Sequence, residues 1–425
     1  MIVQIKKIFS SEFVKNNLQL ISGTIITQLI NLVFNIILTR LYLPESWGKL
    51  SFFLISCSVF LVISSFKLDI NLVTAKDDGE IKKLLHYSFT FTFFIALLAF
   101  LFFSSLNIFS ETTVKALEWW WIIGYLVCIY LLSSRQILWM LALKYKLFKL
   151  QSFTLIGEAL LVNIISMILY KFGDIGLLIG NIISQIFAVT WLLKNIFKDY
   201  QINFNVLKPE ILPWRLLKRI LIIQRHNIFQ GYIDLFQIYA FTIIFSSQME
   251  IIGYYFLCIR VLQLPLRLFF GPISNIFLRT LFDKKIANAT MSSLYIKVLI
   301  GCFLIYVPIL LTILLFGKEL FRFIFGETWI EAGRYAQILI FWIGLDVIKI
   351  PMSQVFYLFN RQKVLNFLSF LSIILSMIFM VFGRYYFEIK VILYGMSIIG
   401  SLFSLIIIYY SYLLVKEFDE KKLLV

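Results

Sequence analysis

Apolar runs of nearly uniform length alternate with short polar breaks along almost the whole chain. A membrane-crossing helix needs about 20 mostly apolar residues. The pattern predicts twelve such spans, at about 17–38, 47–66, 85–109, 118–142, 151–170, 174–197, 220–246, 251–277, 292–316, 334–357, 364–383 and 387–414. Barrel strands would instead alternate over roughly ten residues. The first run begins near Leu18 without a small-residue cleavage site, so it reads as a retained span rather than a signal peptide. The expected fold is an all-α integral membrane protein.

Composition agrees. The chain has 425 residues, 61% hydrophobic and 15% charged, with a mean hydropathy of +0.91, whereas soluble domains carry about a quarter charged residues. The 45 Phe and 21 Tyr are spread over the full length, which excludes a soluble protein with one anchor. Cys57, Cys128, Cys258 and Cys302 fall inside apolar runs without paired spacing, and His86 and His226 are isolated, so neither a disulfide framework nor a metal site is expected.

Charge orients the chain. Lys and Arg accumulate on the cytoplasmic side of membrane proteins. Most of the 39 basic residues sit on the N-terminus, the even-numbered loops and the C-terminus, which places both termini inside. The net charge of +16 therefore reports topology and contact with anionic membrane lipids. Nucleic-acid binding would need an extramembrane basic domain, and the sequence holds none. The cytoplasmic loop 198–219, with KPEILPWRLLKR, divides an N-lobe at 1–197 from a C-lobe at 220–425.

The two lobes read as one unit written twice. IFSETTVKA (108–116) follows the third span and IFGETWIEA (324–332) follows the ninth. Glu45-Ser-Trp-Gly48 follows the first span and Glu250-Ile-Ile-Gly253 the seventh. Such repeats mark secondary transporters, which hold substrate between their halves. Gly176 and Gly180 form a small-residue motif that reads as internal packing.

LTRLYLPESWGKLSFF (38–53), DLFQIYAFTIIFSSQMEIIGYYFLCIRVLQLPLRLFFGPISNIF (234–277) and FGETWIEAGRYAQIL (325–339) resemble Wzx-type polysaccharide flippases. These belong to the multidrug/oligosaccharidyl-lipid/polysaccharide (MOP) exporter superfamily. The resemblance implies two six-helix lobes around a cavity lined mainly by spans 1, 2, 7 and 8. It also implies a cargo, an undecaprenyl-diphosphate-linked oligosaccharide turned from the cytoplasmic to the outer leaflet of a bacterial inner membrane, and polysaccharide polymerase machinery as a partner. Lipid II flippases of the superfamily usually carry two further helices.

Charges within spans cost a few kcal/mol each and need a partner, water or a role. Arg260 and Arg267 lie two turns apart on the eighth span and face one way. Diphosphate oxygens suit the arginine fork, so these two are candidate substrate ligands, with pairing of Arg260 to Asp234 as the alternative. Arg225 and Lys67, near cytoplasmic span ends, are candidates for first contact with the diphosphate. Asp234 and Asp69 are candidates for coupling to H⁺ or Na⁺. Arg135 and Glu158 fall at one depth on antiparallel spans 4 and 5 and are expected to pair. Asp346 and Lys349, three apart on span 10, are expected to neutralise each other. Gln28, Asn31 and Asn35 share a face of the first span and are candidates for touching sugar hydroxyls.

No nucleotide-binding loop, catalytic triad or metal motif is present, so the sequence points away from an enzyme. Two rivals remain. A drug or cation exporter would want an acidic cavity, and a membrane glycosyltransferase or polymerase would want a long charged outer loop.

Overall fold

The computed structural model describes residues 12–73, 75, 77–109, 119–200, 206, 214–287 and 289–423. Within its helices many side chains, those of residues 12–21, Asp234 and Arg267 among them, lie outside that description. So do most of the expected linker at 198–219 and residues 110–116 of the first repeat copy.

Twelve long helices and one short one carry these residues: α1 (Glu12–Leu41), α2 (Pro44–Ser64), α3 (Leu68–Leu72), α4 (Asp78–Phe109), α5 (Trp119–Lys144), α6 (Phe148–Ile168), α7 (Asp174–Asp199), α8 (Trp214–Ile244), α9 (Met249–Ile286), α10 (Ser292–Phe325), α11 (Ile330–Leu358), α12 (Gln362–Tyr386) and α13 (Ile389–Leu423). Each predicted span coincides with one long helix, overrunning its ends by at most two residues. Ten of these are long and apolar enough, among the described residues, to cross a membrane. The other two are α8 and α9, whose sequences carry Arg225, Asp234, Arg260 and Arg267. The short α3 is an addition that hydropathy does not predict.

The chain divides into two compact units, one of residues 1–235 with 246–249, the other of residues 236–245 with 250–425. In the first unit α5 packs against α4 and α7, and α6 packs against α1 and α7. Its core stacks Phe103 on Tyr125 at 3.8 Å and sets Phe53 edge-on to Trp121. Gly176 and Gly180 let α7 close on the end of α6: a Cβ on Gly180 would stand 2.3 Å from Ser166 Oγ. Tyr42, between α1 and α2, donates to the Ser166 carbonyl at 2.7 Å. Burial, with Asp174 adding to it, pushes the Tyr42 phenol up to about 12. In the second unit α11 is the central helix, packed against α10 and α13, with Trp329, Leu339, Ile340 and Phe356 fully buried.

The repeat shows in the turns. The α5–α6 and α11–α12 connections hold equivalent places in the two halves, and each closes on a left-handed residue that is not glycine, Lys146 (φ 56°) and Asn360 (φ 56°). The next amide then reaches back five residues, from Leu147 to the Ala142 carbonyl at 2.9 Å and from Arg361 to the Phe356 carbonyl at 2.7 Å. This is one way to satisfy the carbonyls left open at a helix end. The second repeat copy forms the α10–α11 elbow, where Gly326 takes φ 109° and a 3₁₀ turn at Glu327–Trp329 buries Trp329.

Candidate functional site

The first unit gathers its intramembrane polar groups around α5. Leu132, Arg135, Gln136 and Trp139 recur at helical spacing on one face, and with Leu61 of α2 they line a half-open cavity of about 210 Å³. Arg135 Nη1 meets Glu158 Oε2 of α6 at 3.3 Å. Gln185 Nε2 of α7 donates to the other oxygen, Glu158 Oε1, at 2.6 Å. One carboxylate therefore joins three helices. The expected Arg135–Glu158 pair forms, and Gln185 is its third member.

Beside this cluster, Gln136 Nε2 donates to Asp69 Oδ2 at 2.8 Å, and Ser65 Oγ donates to Asp69 Oδ1 at 2.5 Å. Asp69 is fully buried. Local chain geometry puts it there. Phe66 (φ 48°) and Lys67 (φ 58°) are both left-handed, turning the chain sharply after α2 so that α3 folds inward. Lys67 lies by Gly231 of α8, where an added Cβ would come within 3.7 Å of its Nζ. Arg225 is exposed.

The second unit holds the other charges. The Arg260 guanidinium lies 6.0 Å from the Phe256 ring centroid on the preceding turn of α9. The Asp346 carboxylate accepts from Lys349 Nζ, and the pair lines a small cavity with Trp342 of α11 and Ser369, Ser372 and Ser376 of α12. That cavity measures about 30 Å³, room for one or two waters.

Helix α1 carries the polar set Gln28, Asn31 and Asn35. Asn163 of α6 donates to Asn31 Oδ1 at 2.9 Å. Asn35 is 3% exposed, and its Oδ1 has no hydrogen-bond partner among the described residues. Asn31 therefore lies in the seam between α1 and α6, which pack together. Gln28 is half-buried.

A family model described as "Polysaccharide biosynthesis protein" matches residues 37–334. The chain belongs to this family. The match takes in the quoted stretches at 38–53 and 234–277 whole, and most of 325–339. No curated protein sequence matches the chain. Among solved structures it is similar to the lipid II flippase MurJ in an inward closed conformation, at TM-score 0.72 and 16% identity over 95% of this chain and 90% of that one. It is also similar to an inward-facing multidrug resistance MATE family transporter of the MOP superfamily, at TM-score 0.63 and 12% identity over 93% and 96%. A MOP superfamily transporter from Pyrococcus furiosus matches at TM-score 0.59 and 11% identity over 96% of each chain. The fold of this multi-pass membrane protein is that of the MOP superfamily.

Gln136 and Trp139 line the candidate cavity, and the sequence does not single them out. Their signal was present in the spacing 132, 135, 136, 139 around a charged residue, but that spacing alone does not separate a cavity-facing row from a packed one.

Proposed function

We propose that the protein is a flippase that carries an undecaprenyl-diphosphate-linked oligosaccharide from the cytoplasmic to the outer leaflet by alternating access. Membership of a polysaccharide biosynthesis family by a chain with a MOP transporter fold carries this reading. Arg260 and Arg267 grip the diphosphate, Arg225 and Lys67 meet it first, and Asp234 or Asp69 couples movement to H⁺ or Na⁺. No covalent step is involved. The protein sits in a bacterial inner membrane with both termini cytoplasmic and hands its cargo to polysaccharide polymerase machinery. The second reading is a multidrug exporter, favoured by the likeness to MATE transporters.

The deciding experiment is complementation of a bacterial strain lacking its own oligosaccharide flippase, with wild type, Arg260→Ala, Arg267→Ala and Asp234→Asn at matched expression. Restored surface polysaccharide that is lost in the arginine variants supports flipping with the diphosphate on α9. Restoration that survives both arginine changes keeps the flippase and removes that site. Failure with several unrelated repeat units, together with resistance to cationic drugs, moves the assignment to an exporter.

A further inference from the structure

We infer that the α5 cavity in the first unit is a sugar subsite, in which one ring of the cargo stacks on Trp139 while its hydroxyls bond Arg135 and Gln136. The inference rests on the flippase reading and concerns the part of the cargo that the diphosphate ligands do not touch.

Three observations support it. First, the hydrogen-bonding groups are only partly used within the protein. Arg135 has five N–H donors, and its one hydrogen bond among the described residues is through Nη1 to Glu158. Its Nε is buried without a partner among the described residues. Gln136 spends one N–H on Asp69, which leaves the second N–H and the Oε1 acceptor. Second, this mixture of donor and acceptor suits hydroxyls, which need both, and not a diphosphate, which only accepts. Charge agrees: Glu158 offsets Arg135, and Asp69 behind Gln136 takes its two bonds from neutral groups. Third, Trp139 lines the space, and an indole offers a flat apolar surface whose electron-rich face attracts the polarised C–H bonds of a sugar ring. At about 210 Å³ the space is smaller than pockets for drug-sized ligands and fits a single ring. Glu158 and Gln185 lock the arginine, so the site is preorganised.

The test uses the full chain in lipid nanodiscs and measures equilibrium binding of bare polyprenyl diphosphate against the same lipid carrying one hexose, deoxyhexose, N-acetylhexosamine or uronic acid. Wild type should prefer at least one sugar-bearing lipid by about tenfold, the worth of an aromatic contact and a hydrogen bond. Trp139→Leu should erase that preference and leave the bare lipid bound as before. Arg135→Lys, which keeps the charge beside Glu158 but loses the planar fork, should weaken only the sugar-bearing lipids. Unchanged preference in both variants, or no preference in wild type, overturns the subsite while the flippase reading stands. An equal loss of bare lipid in Arg135→Lys places the diphosphate there and also overturns it. Wild-type protein that binds none of the lipids overturns both readings. Thermal unfolding of each variant confirms that it is folded.

Discussion

Gln136 on α5 holds Asp69 on α3 across 67 residues of sequence, with its amide 2.8 Å from a carboxylate that has no exposed surface. A buried carboxylate needs its hydrogen bonds, since leaving one unmade costs more than a bond contributes. Gln136→Leu should therefore destabilise the protein by about 1–3 kcal/mol, read as a lower unfolding midpoint in detergent. Adding Asp69→Asn, which removes the charge, should recover part of the loss. If the double variant is no better than the single one, the carboxylate is not the cause.

Glu158 gives a ranking. Glu158→Gln keeps an oxygen for one of Arg135 and Gln185, whereas Glu158→Leu strands the arginine beside apolar neighbours. The leucine variant should lose about 1–3 kcal/mol and the glutamine variant clearly less, measured by thermal unfolding. Equal losses would mean that the ion pair contributes shape alone.

Gly48 allows a close approach. A Cβ there would lie 1.7 Å from the Met249 carbonyl oxygen, a backbone atom that cannot swing aside. Gly48→Ala should cost about 1–3 kcal/mol, the usual penalty of overpacking. Wild-type expression and an unchanged unfolding midpoint would show that residue 249 gives way.

Asp419 caps a helix from far along the chain. It accepts from the Met291 and Ser292 amides at 2.9 and 2.8 Å and from the Ser292 hydroxyl at 2.6 Å. Asp419→Ala should cost about 1–2 kcal/mol, as lost caps do, and speed hydrogen exchange at the start of α10. Exchange that is raised evenly over the second unit instead would point to general loosening.

Much of the fold was legible because the bilayer forces long apolar helices, and span length survives any detail of packing. The Arg135–Glu158 pair was legible for a similar reason: a short turn fixes two antiparallel helices, so equal depth implies contact. Asp346 and Lys349 needed only one helix turn. Asp69 was harder, because its burial depends on Phe66 and Lys67 taking left-handed angles that neither residue favours. Spacing puts Gln28, Asn31 and Asn35 on one face of α1 but does not say which neighbour meets them, and Asn163 of α6 meets Asn31. Trp139 shared its face with Arg135 in plain view, yet what Leu61 leaves open beside them is a property of α2 and α5 together.

The clasp on Met291 and Ser292 also sets an order of assembly. The carboxylate that finishes the amino end of α10 lies 128 residues downstream of Met291. While a ribosome is still making α11 and α12, α10 has its first amides unserved. The second unit therefore completes α10 with α13, the last helix to be made, and a chain shortened before Asp419 would insert α10 and leave its end open.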